Sequence, residues 1–157
     1  MKQTKTNAMR MLDRAKAGYE LREYPLDGLN AAVDVPMHLG IERNQLFKTL
    51  VTTDTAGGYY VFCIPSGQEL DLKKAAVAAG VKRIEMLKQK DLLKLTGYIH
   101  GGCSPVGMKK LFPTFFDSSV ENWETIIVSA GKVGMLMEVH PSELLQVVSA
   151  KIVSVIK

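Results

Sequence analysis

The chain has 157 residues, 46% of them hydrophobic and 23% charged, proportions that are typical of a globular protein and exclude a disordered chain. This length suits one domain with its own core, and no apolar run reaches the roughly 18 to 20 residues that a membrane span needs. Twenty Lys and Arg against 16 Asp and Glu give a net charge of +4, which is compatible with an RNA partner but also common in proteins that bind no polyanion.

The cysteines and histidines indicate neither a disulfide framework nor a metal site. Cys63 and Cys103 form no CxxC pair, and two cysteines are too few to cross-link a domain. His38, His100 and His140 lack the close spacing of zinc ligands. The N-terminal segment has no long apolar core of the kind found in secretion signals. We therefore expect a cytoplasmic protein without a metal ion.

In the first half of the chain, the predicted elements are a helix at 8–15, a strand at 19–24, a helix at 31–40, and strands at 45–53 and 59–65. Thr6 or Asn7 caps the first helix, and Gly18 ends it. The last two strands are rich in β-branched and aromatic residues and are joined by a glycine-containing turn, so we expect them to form a hairpin.

In the second half, the predicted elements are a helix at 70–80, a strand at 82–87, a helix at 88–97, strands at 113–117, 125–131 and 135–139, a helix at 141–150 and a strand at 151–156. Strands outnumber helices and occur both in hairpins and in βαβ-like steps. This pattern predicts a single α+β (mixed α/β) domain over residues 1–157, in which peripheral helices surround a mixed, partly closed β-barrel-like sheet.

The segment TGYIHGGCSPVGMKK, residues 96–110, contains four glycines. Gly101 and Gly102 are expected to follow a short strand, where they allow a sharp turn and leave backbone N–H groups unshielded, while Pro105 stiffens the exit. Such a turn can bind a phosphate, a carboxylate or the negative oxygen that develops during acyl transfer. A structural turn is the commoner explanation of a lone glycine pair, and the segment matches neither GxGxxG nor the P-loop pattern.

Lys48 lies within the predicted strand QLFKTLVTT. Strand alternation places it on the same face as Leu46 and Leu50, so the lysine has leucine neighbours. A buried ammonium must be paired, have a lowered pKa or bind a negatively charged ligand. The alternative is a lysine that extends into solvent at the edge of the sheet.

With the motifs LFKTL, QELDLKK, TGYxxGGCSPVGMKK and VSAGKVG in the same order, the chain resembles the YbaK/EbsC family. This family includes bacterial Cys-tRNA(Pro) deacylases and the insertion-type editing domain of prolyl-tRNA synthetases. The resemblance implies an enzyme that hydrolyses mischarged aminoacyl-tRNA in trans, with Cys-tRNA(Pro) as the expected substrate. It also implies no metal or organic cofactor, and prolyl-tRNA synthetase as a partner.

The resemblance also implies the site residues. Lys48 matches the strand lysine on which activity in the family depends most, and Tyr24 matches a pocket tyrosine. The loop residues that border the pocket correspond to Gly101, Gly102, Ser104, Pro105 and Gly107. The family commonly has GxDxE in a late strand, whereas this chain has Leu136 at the acidic position. Glu138, on the same strand face, is the alternative carboxylate for the substrate ammonium, and the change leaves the amino-acid specificity open.

These residues lead to a mechanistic hypothesis. Lys48 binds phosphate or ribose oxygens of the terminal adenosine, and N–H groups around Gly101 and Gly102 stabilise the ester carbonyl oxygen. The resemblance implies that a cysteine ester is cleaved by the substrate's own thiol. No histidine is placed as a partner for Cys103, so we expect this residue to fill space, and Ser104 before a proline is more typical of a turn.

Two questions remain open from the sequence. RNA contacts are expected from Lys109 and Lys110 and from the basic residues of the first helix, although all of these also suit a solvated surface. A protein that binds a nucleotide, an anion or the tRNA acceptor end without hydrolysis is the alternative function, and Leu136 is the feature that favours it.

Overall fold

The computed structural model describes residues 5–24 and 34–157. In this part of the chain, the helices are α1 Asn7–Arg14, α2 Asp34–Leu39, α3 Leu72–Ala79, α4 Gln89–Thr96 and α5 Pro141–Val147, with 3-10 helices at Arg43–Gln45 and Ser118–Asn122. None of the described helices has the length and apolar character required to cross a membrane.

The strands form two sheets. A five-stranded sheet has the order β4-β2-β3-β5-β8, and a three-stranded antiparallel sheet has the order β1-β7-β6. The strands are β1 Tyr19–Glu23, β2 Phe47–Thr53, β3 Tyr59–Pro65, β4 Glu85–Met86, β5 Thr114–Asp117, β6 Ile126–Lys132, β7 Met135–Val139 and β8 Lys151–Val153. The larger sheet is mixed, because β2 and β3 are antiparallel whereas β5 runs parallel to both β3 and β8.

A parallel bridge between Leu46 and Ile127 joins the start of β2 to β6 and so connects the two sheets. The main core contains Phe47, whose ring centroid lies 6.2 Å from that of Phe116, together with Ile126 and Met137 from the smaller sheet. Burial of these large apolar side chains drives the association of the sheets. A second apolar cluster forms where α3 packs on the other face of β3.

Local sequence explains the helix ends. The Thr6 hydroxyl accepts a hydrogen bond from the Met9 N–H, and the Asp71 carboxylate accepts from two N–H groups at the start of α3. Gly80 and Gly97, which end α3 and α4, have the left-handed conformation that glycine adopts without strain.

The predicted fold class, hairpin and helix order are confirmed. The prediction of a short strand before Gly101 is wrong. Tyr98 and Ile99 follow directly on Gly97, the glycine that ends α4, and belong to no strand. The strand at 82–87 is reduced to two residues, and the last strand ends at Val153. Residues 31–33 of the second predicted helix lie outside the described residues.

Candidate active site

A cavity of about 270 Å³ lies beside β2, between the glycine segment and the smaller sheet. Three predicted site residues, Tyr24, Lys48 and Gly101, line it. The other lining residues are Val35, Leu46, Phe47, Thr49, Leu50, Ser66, Leu92, His100, Cys103, Ser129 and Leu136. The cavity therefore combines an apolar wall with a few polar groups, which is the usual composition of a small-molecule site.

The edge of β2 is open at this cavity. Strand β4 pairs with β2 at Thr52 and Thr53, and no described strand covers the edge from Lys48 to Leu50. The Val51 carbonyl accepts a hydrogen bond from the Leu87 N–H on the β4 side, whereas the Leu46 carbonyl points towards β3. Because backbone groups alternate along a strand, the N–H and C=O of Thr49 point to the open edge. The site thus offers a backbone donor and acceptor beside Lys48.

Lys48 is half-buried, opposite Ile64 of β3. Burial lowers the pKa of its ammonium, and the negative charge of Glu69 partly offsets this shift. Within residues 5–24 and 34–157, no acceptor forms a hydrogen bond or ion pair with Nζ. Lys48 is therefore partly desolvated, lines a cavity and has no partner for Nζ among the described residues, which is the arrangement expected of a lysine that binds an anionic or polar ligand.

The glycine pair forms a turn rather than a strand end. The Gly102 N–H donates to the Ile99 carbonyl at 3.0 Å, and Gly101 has φ +86°, as the third residue of a type II turn requires. Gly102 therefore does not provide the free amide predicted for it. A Cβ at Gly102 would lie 2.8 Å from the Val133 backbone nitrogen, so this glycine permits close packing on the β6–β7 turn. The Gly101 N–H has no acceptor in the described part of the chain and remains available to a ligand.

The remaining predicted loop residues do not line the cavity. Ser104 is fully buried, and its hydroxyl accepts a hydrogen bond from the Val106 N–H at 3.2 Å, which is a local turn contact. Pro105 is also buried. Gly107 packs against Tyr98 and the start of α1, and neither Tyr98 nor any α1 residue lines the cavity. Their observed contacts stabilise the loop that carries Gly101.

Glu138 does not line the cavity. Its carboxylate pairs with Arg22 and accepts a hydrogen bond from the Thr125 hydroxyl at 2.6 Å. The hydrogen bond from Thr125, followed by those from Arg22, lowers the pKa of the Glu138 carboxyl. Leu136 lines the cavity and belongs to an apolar cluster with Val35, so an apolar side chain occupies the position that is acidic in related motifs.

Two polar side chains at the cavity were not predicted. Thr49 follows Lys48 on the opposite strand face, and the open edge brings both to the cavity. Ser129 precedes an irregularity in the β6–β7 pairing, and its hydroxyl accepts from the Gly131 N–H at 3.1 Å, so its own proton is available to a ligand. The VSAGKVG motif contains Ser129, but strand alternation alone does not predict the irregularity.

Cys103 lines the cavity but is poorly suited to act as a nucleophile. Burial raises the pKa of its thiol to about 12, so the reactive thiolate is scarce at neutral pH. We expect Cys103→Ala to retain most of the deacylation activity of the wild-type enzyme, measured as single-turnover hydrolysis of aminoacyl-tRNA. Loss of activity in a variant with an unchanged circular dichroism spectrum would contradict this prediction.

Comparison with known proteins identifies the family. The aminoacyl-tRNA editing domain family matches residues 28–147. The chain is 49% identical over 151 residues to EbsC of Enterococcus faecalis, a candidate Cys-tRNA(Pro)/Cys-tRNA(Cys) deacylase, and the match covers 95% of this chain and 92% of EbsC.

Two solved structures share the fold. A candidate trans-editing enzyme for prolyl-tRNA synthetase has a TM-score of 0.87 at 24% identity, with coverage of 96% of this chain and 95% of that chain. The hypothetical protein APE2540 has a TM-score of 0.87 at 22% identity, with coverage of 97% and 100%. The chain therefore belongs to the aminoacyl-tRNA editing domain family, as its resemblance to YbaK/EbsC proteins predicts.

Proposed function

We propose that this protein is a trans-acting editing enzyme that hydrolyses the ester bond of Cys-tRNA(Pro). The observation that carries the proposal is that one cavity is lined by the half-buried Lys48 and by Gly101, whose ammonium and amide have no partner in the part of the chain that the structure describes. The 49% identity to EbsC supports the substrate.

The geometry suits the chemistry of an aminoacyl ester. Such an ester is already activated, so catalysis requires orientation and stabilisation of the developing oxyanion rather than extensive acid–base machinery. Lys48 binds phosphate or ribose oxygens of the terminal adenosine, and the Gly101 amide donates to the carbonyl oxygen. The substrate's own sulfur attacks the ester carbon, the bond to the ribose oxygen breaks, and that oxygen takes up the thiol proton. Water then opens the cyclic thioester.

The cavity wall favours a small, uncharged amino-acid side chain. The volume of the cavity, about 270 Å³, is smaller than the roughly 300 to 1,000 Å³ of pockets that enclose drug-sized ligands. Among the described residues, no Asp or Glu lines it. We infer that selection depends on side-chain size and on the substrate thiol.

Hydrolysis of matched substrates tests the function. We expect the protein to hydrolyse Cys-tRNA(Pro) about tenfold or more faster than Ala-tRNA(Pro), Ser-tRNA(Pro) and correctly charged Pro-tRNA(Pro), because Ala, Ser and Pro lack the attacking thiol and the small apolar pocket disfavours the larger proline ring. The measurement is single-turnover deacylation after subtraction of spontaneous hydrolysis. Equal accelerated rates for all four esters would contradict the proposed specificity but would still support a deacylase.

Leu136 favours one competing function, in which the same cavity binds a nucleotide or an acceptor end without hydrolysis. In that case no ester is lost faster than in buffer, although the protein still binds tRNA. We further propose that the enzyme acts in the cytoplasm beside prolyl-tRNA synthetase, because no base-reading motif in the chain supplies tRNA identity. Addition of the synthetase to the assay tests this partnership through a change in selectivity among tRNA species.

A further inference from the structure

A cluster of five lysines lies on α4 and on the end of the glycine segment. These are Lys88, Lys90, Lys94, Lys109 and Lys110, which we call the α4 lysine face, and all five are exposed. Asp91 is the one acidic residue between positions 88 and 110. This segment therefore accounts for the whole net charge of +4, and the rest of the chain carries equal numbers of positive and negative residues.

Contacts within the fold bring the two parts of this face together. Lys90 and Lys94 lie one turn apart on α4. The Lys109 N–H donates to the Thr96 carbonyl at 3.0 Å, and its Nζ lies 3.4 Å from the Lys94 carbonyl oxygen. The Lys109 side chain thereby crosses Gly97, where a Cβ would be 3.4 Å from its Cγ. Lys90, Lys94 and Lys109 thus form a continuous positive surface.

This arrangement costs local stability. Lys88 occupies the N-cap of α4 without capping the helix, and Lys90 lies in its first turn, where the helix dipole disfavours cations. Lys90 and Lys94 add a like-charge pair one turn apart. None of the five lysines forms an ion pair with a described residue, whereas Lys5, which precedes α1, pairs with Asp13 of that helix at 2.5 Å. Lys94 and Lys109 lie at the C-terminal end of α4, where the dipole favours cations, so the unfavourable positions are those of Lys88 and Lys90. Lys88 and Lys90 have no ion-pair partner among the described residues, which favours a role in ligand binding over a structural one.

The elements that carry the α4 lysine face also contribute to the cavity wall. Leu92 of α4 and His100 and Gly101 of the glycine segment line the cavity, whereas no α1 residue does. Lys90 and Lys94 are each two residues from Leu92, so they lie on the side of α4 opposite the cavity wall. A polyanion bound to them therefore reaches the cavity by passing over the helix. We propose that the α4 lysine face binds the backbone phosphates of the tRNA acceptor end and positions its terminal aminoacyl group in the cavity. This inference rests on the proposed function, and it assigns α4, rather than α1, as the RNA surface.

The test compares two triple variants of matched charge. K90A/K94A/K109A removes the centre of the face, and the control K73A/K82A/K151A removes three exposed lysines from elements that do not line the cavity. We expect kcat/KM for Cys-tRNA(Pro) to fall about tenfold or more in the first variant and less than twofold in the control. We also expect the slope of log affinity against log salt concentration to decrease by about 2 to 3 in the first variant.

A cysteinyl ester of the trinucleotide CCA separates this inference from the proposed function. This substrate is too short to cross α4, so its hydrolysis should be equal in both variants and the wild-type enzyme. Equal loss on the trinucleotide and the full tRNA, or equal effects of the two triple variants, would overturn the inference. If the wild-type enzyme hydrolyses neither ester, the proposed function fails, and titration with uncharged tRNA still tests the face by the same comparison of variants.

Discussion

Replacement of Lys48 by alanine should reduce single-turnover hydrolysis of Cys-tRNA(Pro) by about 100-fold or more. Removal of one preorganised electrostatic contact from an acyl-transfer site typically costs about 10² to 10³ in rate. Lys48 supplies the one ammonium group that lines the described cavity, and neither Thr49 nor Ser129 replaces its charge. Turnover of Lys48→Ala close to that of the wild-type enzyme would exclude the lysine from the mechanism.

The loss should occur without unfolding. The pKa of Lys48 is lowered by burial, which means that the folded state disfavours its charge at neutral pH, and no described side chain pairs with Nζ. Removal of the ammonium therefore leaves no buried anion unpaired, and we expect the melting temperature of Lys48→Ala to stay within a few degrees of that of the wild-type enzyme. Thermal unfolding of both proteins checks this control.

The pH dependence distinguishes a cationic Lys48 from a Lys48 that acts as a base. The ammonium is present below its pKa and is lost above it. Because burial lowers the pKa of Lys48, the catalysed rate should begin to decline at a lower pH than it would if the lysine had its ordinary pKa. In Lys48→Arg the charge persists throughout, so we expect partial activity without this alkaline decline. A catalysed rate that rises as Lys48 loses its proton, together with an inactive arginine variant, would indicate a base.

Local sequence patterns predict the cavity-lining residues that belong to a recognisable strand or turn. Strand alternation and the LFKTL motif pointed to Lys48, and the glycine pair pointed to Gly101. The remainder depends on contacts between distant segments. The approach of Gly107 to Asn7 and Ala8, and that of Gly102 to Val133, are visible only in the folded chain.

The same limit explains the unpredicted residues. Thr49 and Lys48 project from opposite faces of β2, and both reach the cavity because the strand edge is open there. An alternation argument assigns each residue to one face and cannot predict which edge remains unpaired. Local motifs therefore predict Lys48 and Gly101, which line the cavity, whereas long-range packing determines which other residues line it.

Gly107→Ala should produce the largest loss of stability among the glycine variants. Gly107 has φ +81°, and a Cβ there would lie 2.7 Å from the Tyr98 hydroxyl and 2.8 Å from the backbone nitrogen of Ala8. Left-handed backbone strain and overpacking together predict a loss of about 2 to 5 kcal/mol, which corresponds to a fall of about 5 to 15 °C in melting temperature. Gly80→Ala is the matched control, because φ is +73° and nothing lies within 4 Å, so strain alone should lower its stability by about 1 to 2 kcal/mol.

Gly101→Ala completes this comparison and separates the loop's structural role from its catalytic role. Gly101 has φ +86°, and the nearest atom to an added Cβ is the Val133 Cγ2 at 3.6 Å, so its stability loss should match that of Gly80→Ala. Gly101 lines the cavity, however, and its N–H has no acceptor among the described residues, so in the proposed mechanism a displaced turn moves this donor away from the carbonyl oxygen. We therefore expect the fall in deacylation rate to exceed that of any equally destabilised control. If Gly101→Ala loses stability but no activity at a temperature where it is folded, the oxyanion donor lies elsewhere, and the Thr49 amide at the open edge of β2 is the next group to test.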